Sequence, residues 1–254
     1  MRNIKVYCNN IQEKSETVKV FKKAAQLKLY YGDQKNFPDE LTGFYDFLTD
    51  KEIHRSKRFF KKSDERTYVI THALVNKKIS ELLRKDFNSI KINYFDNKKP
   101  FVERSAIDFN LSHSSDYFAF AISIYENMYV GVDIEVVREN LDMEPIVHHY
   151  FHEKEISYIL NSGTNNLTRQ CRFYEVWTRK EAFFKMLGTG LSEKLSEIDM
   201  SPGEHEIIIQ DNNSFDNHYF SNTYVYTLNL PGNLALSLSA NRPVSIITEC
   251  CERF

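Results

Sequence analysis

Two stretches of this chain carry residue types suited to phosphate chemistry beside a hard cation. One reads Gly131-Val132-Asp133-Ile134-Glu135; the other reads Trp177-Thr178-Arg179-Lys180-Glu181-Ala182-Phe183-Phe184-Lys185. In the first, Val130, Val132, Ile134 and Val136 face one way on a strand, and Gly131, Asp133 and Glu135 the other. Carboxylates two positions apart on a strand stand roughly 6–7 Å apart at the backbone, close enough to share one cation. On pattern alone, a half-buried strand with a solvated acidic face explains them equally well. In the second stretch Trp177, Glu181 and Lys185 follow at i, i+4 and i+8 and share a helix face. Taken alone, a Glu–Lys pair at that spacing is an ordinary surface ion pair worth about 0.2–0.5 kcal/mol. Phe173, Trp177, Phe183 and Phe184 leave this helix little freely solvated surface, and a carboxylate held beside such bulk needs a partner.

Two further groups of donors accompany these. Asp108-Phe109-Asn110-Leu111-Ser112-His113-Ser114-Ser115 places a histidine between hydroxyls at the entry to a strand. Imidazole and hydroxyl groups suit phosphate oxygens, although unaided the segment reads as a loop bonding its own backbone. Lys51, Arg55, Arg58, Lys62 and Arg66 recur at helical steps, and residues 51–66 hold seven basic and three acidic side chains. That excess suits a multiply charged phosphate ligand, or a solvated helix face. Lys98-Lys99-Pro100 adds a small basic loop. Neither a glycine-rich phosphate loop followed by lysine nor a dinucleotide fingerprint is present.

The elements that must position these groups are legible in outline. Residues 50–85 read as helical, with Ile70, Leu74, Val75, Ile79, Leu82 and Leu83 toward a core. Residues 117–123 and 129–136 read as strands joined through Glu126-Asn127 as a hairpin. Residues 145–160 and 167–187 read as helices, the second ended by Gly188-Thr189-Gly190. Residues 224–230 and 234–240 form a second hairpin around Pro231-Gly232-Asn233, and 212–222 read as a polar loop. A hairpin in each half suggests an internal duplication. The chain has 254 residues, enough for a sizeable core, and charged residues make up 27% of it against 42% apolar, an ordinary globular balance. A net charge of −2 argues against wholesale binding to nucleic acid or anionic membrane. Four scattered cysteines lack metal spacing and point to a reducing compartment. No signal peptide opens the chain, and the longest apolar run, 118–122, is far too short to span a bilayer. The expectation is a soluble cytoplasmic protein.

Taken in order, these segments resemble the surfactin-type 4'-phosphopantetheinyl transferases. The matching pieces are Arg55-Ser56-Lys57-Arg58-Phe59, Lys99-Pro100, Phe109-Asn110-Leu111-Ser112-His113-Ser114, Gly131-Val132-Asp133-Ile134-Glu135, Phe151-His152-Glu153-Lys154-Glu155, and residues 177–191. Lys98 departs from the glycine the family commonly carries before Lys-Pro. The resemblance implies a pseudo-twofold α/β (α+β) fold. Its two similar halves, residues 1–136 and 137–254, would each hold a small antiparallel sheet with packed helices, and the site would lie in the cleft between them.

It also implies the reaction. The phosphopantetheine arm of coenzyme A passes to a serine of an apo acyl or peptidyl carrier protein, and adenosine 3',5'-bisphosphate leaves. By motif matching, Asp133, Glu135 and Glu181 would hold Mg²⁺, and His113 and Lys185 would touch the pyrophosphate. Ser112, Arg55, Arg58 and Lys99 would join them in binding coenzyme A. Glu181, directly or through a metal-bound water, would take the proton of the acceptor serine and act with Lys185 and His113 as the catalytic set. An internal pseudo-dimer supplies both cleft walls, so a monomer is expected. Two other readings use the same residues. One is a metal-dependent phosphodiesterase or nuclease, and the other a non-catalytic coenzyme A-binding module.

Overall fold

Segments rich in β-branched and aromatic residues pair into two sheets, and two long helices cover them. The structure, a computed structural model, describes residues 2–11, 24–95, 99–160, 165–189, 193–209 and 221–254. In chain order the strands and α-helices begin with β1 (Arg2–Ile11), β2 (Ala25–Asp33), α1 (Asp50–Ser56) and α2 (Lys62–Leu83). There follow β3 (Ile92–Tyr94), β4 (Pro100–Val102), β5 (Asp108–Ser114), β6 (Tyr117–Ser123) and β7 (Val130–Val136). The chain continues through α3 (Glu144–Tyr150), α4 (Glu153–Leu160), α5 (Asn166–Leu187), β8 (Gly203–Ile209), β9 (Asn222–Leu230), β10 (Leu234–Ala240) and β11 (Val244–Cys250).

One sheet has the order β7-β10-β9-β1-β8 and the other β11-β2-β6-β5; β3 and β4 form a separate pair. Within them a unit repeats. The order β2-β6-β5 in one sheet matches β7-β10-β9 in the other. In each unit a 22-residue helix, α2 or α5, follows the first strand and precedes the hairpin. Both helices stop on a left-handed residue, Arg84 at φ 52° and Gly188 at φ 74°. This mixed α/β fold with two similar halves is the architecture the sequence predicts.

Several details differ. The sheets are mixed rather than antiparallel, because β1 runs parallel to β9 and β11 parallel to β2. β1 and β7 lie in the sheet of β8, β9 and β10, and β11 lies in the sheet of β2, β5 and β6, so sheet membership crosses the boundary at 136. The expected β6–β7 hairpin does not form. Both edges of β6 are taken by β2 and β5, and β7 pairs with β10 instead. The chain therefore uses the turn at Asn127, φ 55°, to cross between sheets.

The helix expected over 50–85 is broken between Ser56 and Lys62, since α1 is a short helix closed at its start by a Thr49–Glu52 capping box. The helix expected over 145–160 is likewise two, α3 and α4, parted at Phe151-His152. Of the loop expected at 212–222, all but Ser221 and Asn222 lies outside the described residues, and Asn222 opens β9.

α2 buries Val69, Ile70, Ala73 and Leu74 with Phe118 and Phe120 of β6, and α5 buries Phe173, Val176, Phe183 and Met186. Each such large side chain contributes about 1.5–3 kcal/mol on burial. Within β8, His205 Nδ1 lies 3.1 Å from Asp199 Oδ2, and His205 Nε2 lies 2.7 Å from the Ser201 carbonyl, both partners preceding the strand. The bond to Asp199 raises the His205 pKa. Burial works against the Asp199 charge, but bonds from His205 and Ser201 outweigh it and hold that pKa well below the carboxylate range.

Stability from a raised histidine is complete below its free value of 6.5 and is lost as pH climbs through the folded value. Stability from a depressed aspartate is complete above its free value of 3.8 and is lost as pH falls toward the folded value. The two overlap fully between 3.8 and 6.5. His205→Gln is therefore expected to lower Tm most in that window, with the deficit shrinking above neutrality. A deficit that grows from pH 6 to pH 9 in melts of both proteins contradicts this account.

Candidate active site

β5 is an edge of the four-stranded sheet and β7 an edge of the five-stranded one, and they meet side by side. Side chains of β5 join the two strands. The Val130 amide donates to Asp108 Oδ2 at 2.7 Å, the Val132 amide to Asn110 Oδ1 at 3.0 Å, and the Val136 amide to Ser114 Oγ at 3.2 Å. Asp108, Asn110 and Ser114 of β5 thus each satisfy an edge amide that burial would otherwise leave costly. The same seam aims hydroxyls at the acidic strand. Ser112 Oγ donates to Asp133 Oδ1 at 2.7 Å, and Ser114 Oγ donates to Glu135 Oε2 at 2.6 Å.

α5 lies directly on the Gly131 face of β7. A Cβ on Gly131 would stand 2.0 Å from the Ala182 carbonyl oxygen and 2.4 Å from the Met186 amide nitrogen, so only glycine admits this approach. It lets Lys185 Nζ donate to Asp133 Oδ1 at 2.6 Å and to Ser112 Oγ at 2.9 Å. Glu181 stands one turn earlier on the same helix.

The helix is held rigidly behind the site. Lys180 is fully enclosed, paired with Glu155 at 2.8 Å, and it donates to the carbonyls of Leu195 and Ile198 at 2.6 Å each. Arg179, also fully buried, bonds Thr227, the Met200 carbonyl and Glu175. Removing one partner of such a buried pair costs about 3–5 kcal/mol. Trp177 packs against Phe151 and Phe173, which locks α5 to the segment between α3 and α4.

The three carboxylates act on one another electrostatically. Burial raises the Glu181 pKa to about 7, with the Asp133 and Glu135 charges adding to it and Lys185 opposing. Burial also raises Asp133, against the bonds from Lys185 and Ser112, and raises Glu135 with help from the Asp133 charge. Asp133 is 3% exposed, and its Oδ2 has no hydrogen-bond partner among the described residues. No three His, Cys, Asp or Glu side chains among the described residues stand as a ready-made metal cluster. The donor set that Asp133, Glu135 and Glu181 offer is all oxygen, and a hard divalent ion beside Oδ2 would satisfy that orphan and relieve the mutual repulsion.

Of the other expected residues, His113 lies within β5 rather than at the entry to a strand, and it is exposed. Surrounding protein still withdraws enough water to lower its pKa, and the Lys185 charge lowers it further. Arg55 is exposed on α1 with its guanidinium 5.5 Å from the Tyr68 ring centre, and Arg58 is exposed in the turn after it. Two other members of the basic stripe have separate work. Lys62 pairs with Glu65, and Arg66 donates to the carbonyls of Gln34, Phe37 and Pro38. Lys99 Nζ is enclosed in the seam, 2.9 Å from Asp108 and within 3.3 Å of the Val130 and Met186 carbonyls. It ties β5, β7 and the end of α5 together. Lys98 lies outside the described residues. Sequence reasoning missed Asp108, Asn110 and Ser114 as seam residues, although polar residues at every second position of β5 were the signal.

Comparison with known proteins finds relatives on both sides of the seam. Residues 129–238 match the family described as the 4'-phosphopantetheinyl transferase superfamily, and residues 35–124 match "4'-phosphopantetheinyl transferase, N-terminal". The 4'-phosphopantetheinyl transferase HetI of Nostoc sp. is 27% identical over 158 residues, 61% of this chain and 65% of that protein. The 4'-phosphopantetheinyl transferase Sfp of Bacillus subtilis is 27% identical over 194 residues, 74% of this chain and 84% of that protein. The L-aminoadipate-semialdehyde dehydrogenase-phosphopantetheinyl transferase of Xenopus laevis is 29% identical over 172 residues, 62% of this chain and 55% of that protein.

Proposed function

We propose, for a chain that belongs to the surfactin-type 4'-phosphopantetheinyl transferase family, that it transfers the phosphopantetheine arm of coenzyme A to a serine of an apo acyl or peptidyl carrier protein. Adenosine 3',5'-bisphosphate is the other product, and the chain works as a monomer in the cytoplasm. The supporting observation is the convergence of Glu181 and Lys185 from α5 with Asp133 of β7 and Ser112 of β5. No helix among the described residues is long and apolar enough to cross a membrane.

In this reading the carrier serine oxygen attacks the phosphorus bearing the pantetheine arm. A serine O–P bond forms, the bridging P–O bond of the pyrophosphate breaks, and the electron pair leaves on the 5'-phosphate of the bisphosphate. Glu181 takes the serine proton, a role suited to a carboxylate whose pKa is raised to about 7. Lys185 turns from Asp133 to the departing phosphate and offsets its growing charge, and His113 donates to a pyrophosphate oxygen. Asp133, Glu135 and Glu181 would hold Mg²⁺, which neutralises the diphosphate when bound. Ser112 and Ser114 keep the first two carboxylates aimed, and Arg55 and Arg58 face the nucleotide phosphates.

Incubation with coenzyme A, Mg²⁺ and a panel of apo carrier proteins, followed by intact mass, tests the reading. Gain of one phosphopantetheine group on the carrier supports it. Hydrolysis of coenzyme A without any carrier would make the chain a phosphodiesterase, and binding without turnover would make it a binding module.

A further inference from the structure

A second imidazole stacks on the tyrosine that the Arg55 guanidinium covers. His72 lies one turn past Tyr68 on α2, and its Nδ1 is 2.7 Å from Oε1 of Glu52 on α1. Glu52 is 3% exposed and also bonded by Thr49 and by Asn76 Nδ2. Burial pushes the Glu52 pKa up, but the bonds and charge of His72 and the Thr49 bonds outweigh it and leave it lowered, so the carboxylate stays ionised. A carboxylate at Nδ1 fixes a proton there and leaves Nε2 as the open atom. Among the described residues no protein group bonds Nε2, and the side chain is 15% exposed. Tyr68 stacks on the imidazole at 3.9 Å, with the Arg55 guanidinium over the same tyrosine. Arg55 and His72 therefore both lie against one ring, that of Tyr68.

We propose that His72 is a further substrate-binding residue, whose Nε2 hydrogen-bonds a phosphate group of the coenzyme A nucleotide beside Arg55, with Glu52 fixing the ring through Nδ1. The proposal rests on the transferase reading. A helix-packing role alone would use the Glu52 bond and would not need the open nitrogen.

His72→Gln is expected to raise KM for coenzyme A roughly ten-fold, with kcat changed by less than about two-fold. Affinity for adenosine 3',5'-bisphosphate, measured calorimetrically without metal or carrier, falls by a similar factor. His72→Arg, which supplies hydrogen-bond donors at the same place, recovers most of both. Repeating the comparison with 3'-dephospho-coenzyme A locates the contact: an effect that vanishes puts His72 at the 3'-phosphate, and one that persists puts it at the pyrophosphate. Wild-type KM and wild-type bisphosphate affinity in His72→Gln overturn the proposal and leave the transferase reading standing. A wild-type chain that transfers nothing overturns both.

Discussion

Glu181→Gln is expected to lower phosphopantetheine transfer by about 10²–10⁴-fold while leaving the protein at least as stable as wild type. The two effects share one cause. Glu181 ionises only near pH 7 because it is partly buried and faces the charges of Asp133 and Glu135. The amide keeps the shape and removes both the base and the repulsion, so activity and stability move in opposite directions. Lys185→Ala is the companion change, with transfer falling about 10²–10³-fold as charge stabilisation of the leaving phosphate is lost. It does not share the stability gain, because it strips Asp133 of its Nζ contact at 2.6 Å and leaves a carboxylate already raised by burial with less compensation. Carrier-labelling rates beside thermal melts check both. Near-normal turnover in either variant removes that residue from the mechanism. A lower Tm for Glu181→Gln refutes the repulsion among the three acids.

Gly131→Ala is expected to destabilise the fold by about 3 kcal/mol and to abolish most activity through displacement rather than chemistry. The added methyl would meet backbone atoms of Ala182 and Met186 at 2.0 and 2.4 Å, and helix backbone cannot rotate aside as a side chain can. α5 must lift from β7, and with it Glu181 and Lys185 leave Asp133. Gly43→Ala, with nothing within 4 Å of its Cβ, is the matched control and should unfold like the wild type. Urea unfolding of the two variants makes the comparison. A Gly131→Ala protein as stable as Gly43→Ala shows that the strand–helix contact is looser than described.

The placement of the candidate residues on their elements was legible because it rests on local periodicity. The alternation around Asp133 and Glu135 and the spacing of Glu181 and Lys185 each assign a face within one element, and the structure keeps both faces. Longer-range relations were hidden. The basic stripe assumed one helix over 50–85, but the chain breaks after Ser56, which puts Arg55 on α1 and leaves Arg66 tethering carbonyls of the 34–38 segment. Lys99 lies in the seam because Asp108 awaits it there, nine residues on and across a strand start. The pairing partner of β7 is more than ninety residues away in sequence, whereas a hairpin reading assumes that neighbours in sequence pair. His72 carried no motif, and its interest comes wholly from Glu52 twenty residues earlier.

The exchange of β1 and β11 between the sheets bears on how the chain folds during synthesis. β1 precedes β8 and β9 in the chain, so it stays unmatched until they have been synthesised. The earlier sheet in turn keeps an open edge on β2 until β11 has followed. Until that moment the nascent first half presents an exposed strand edge that other chains can join, and folding by independent halves is closed to it.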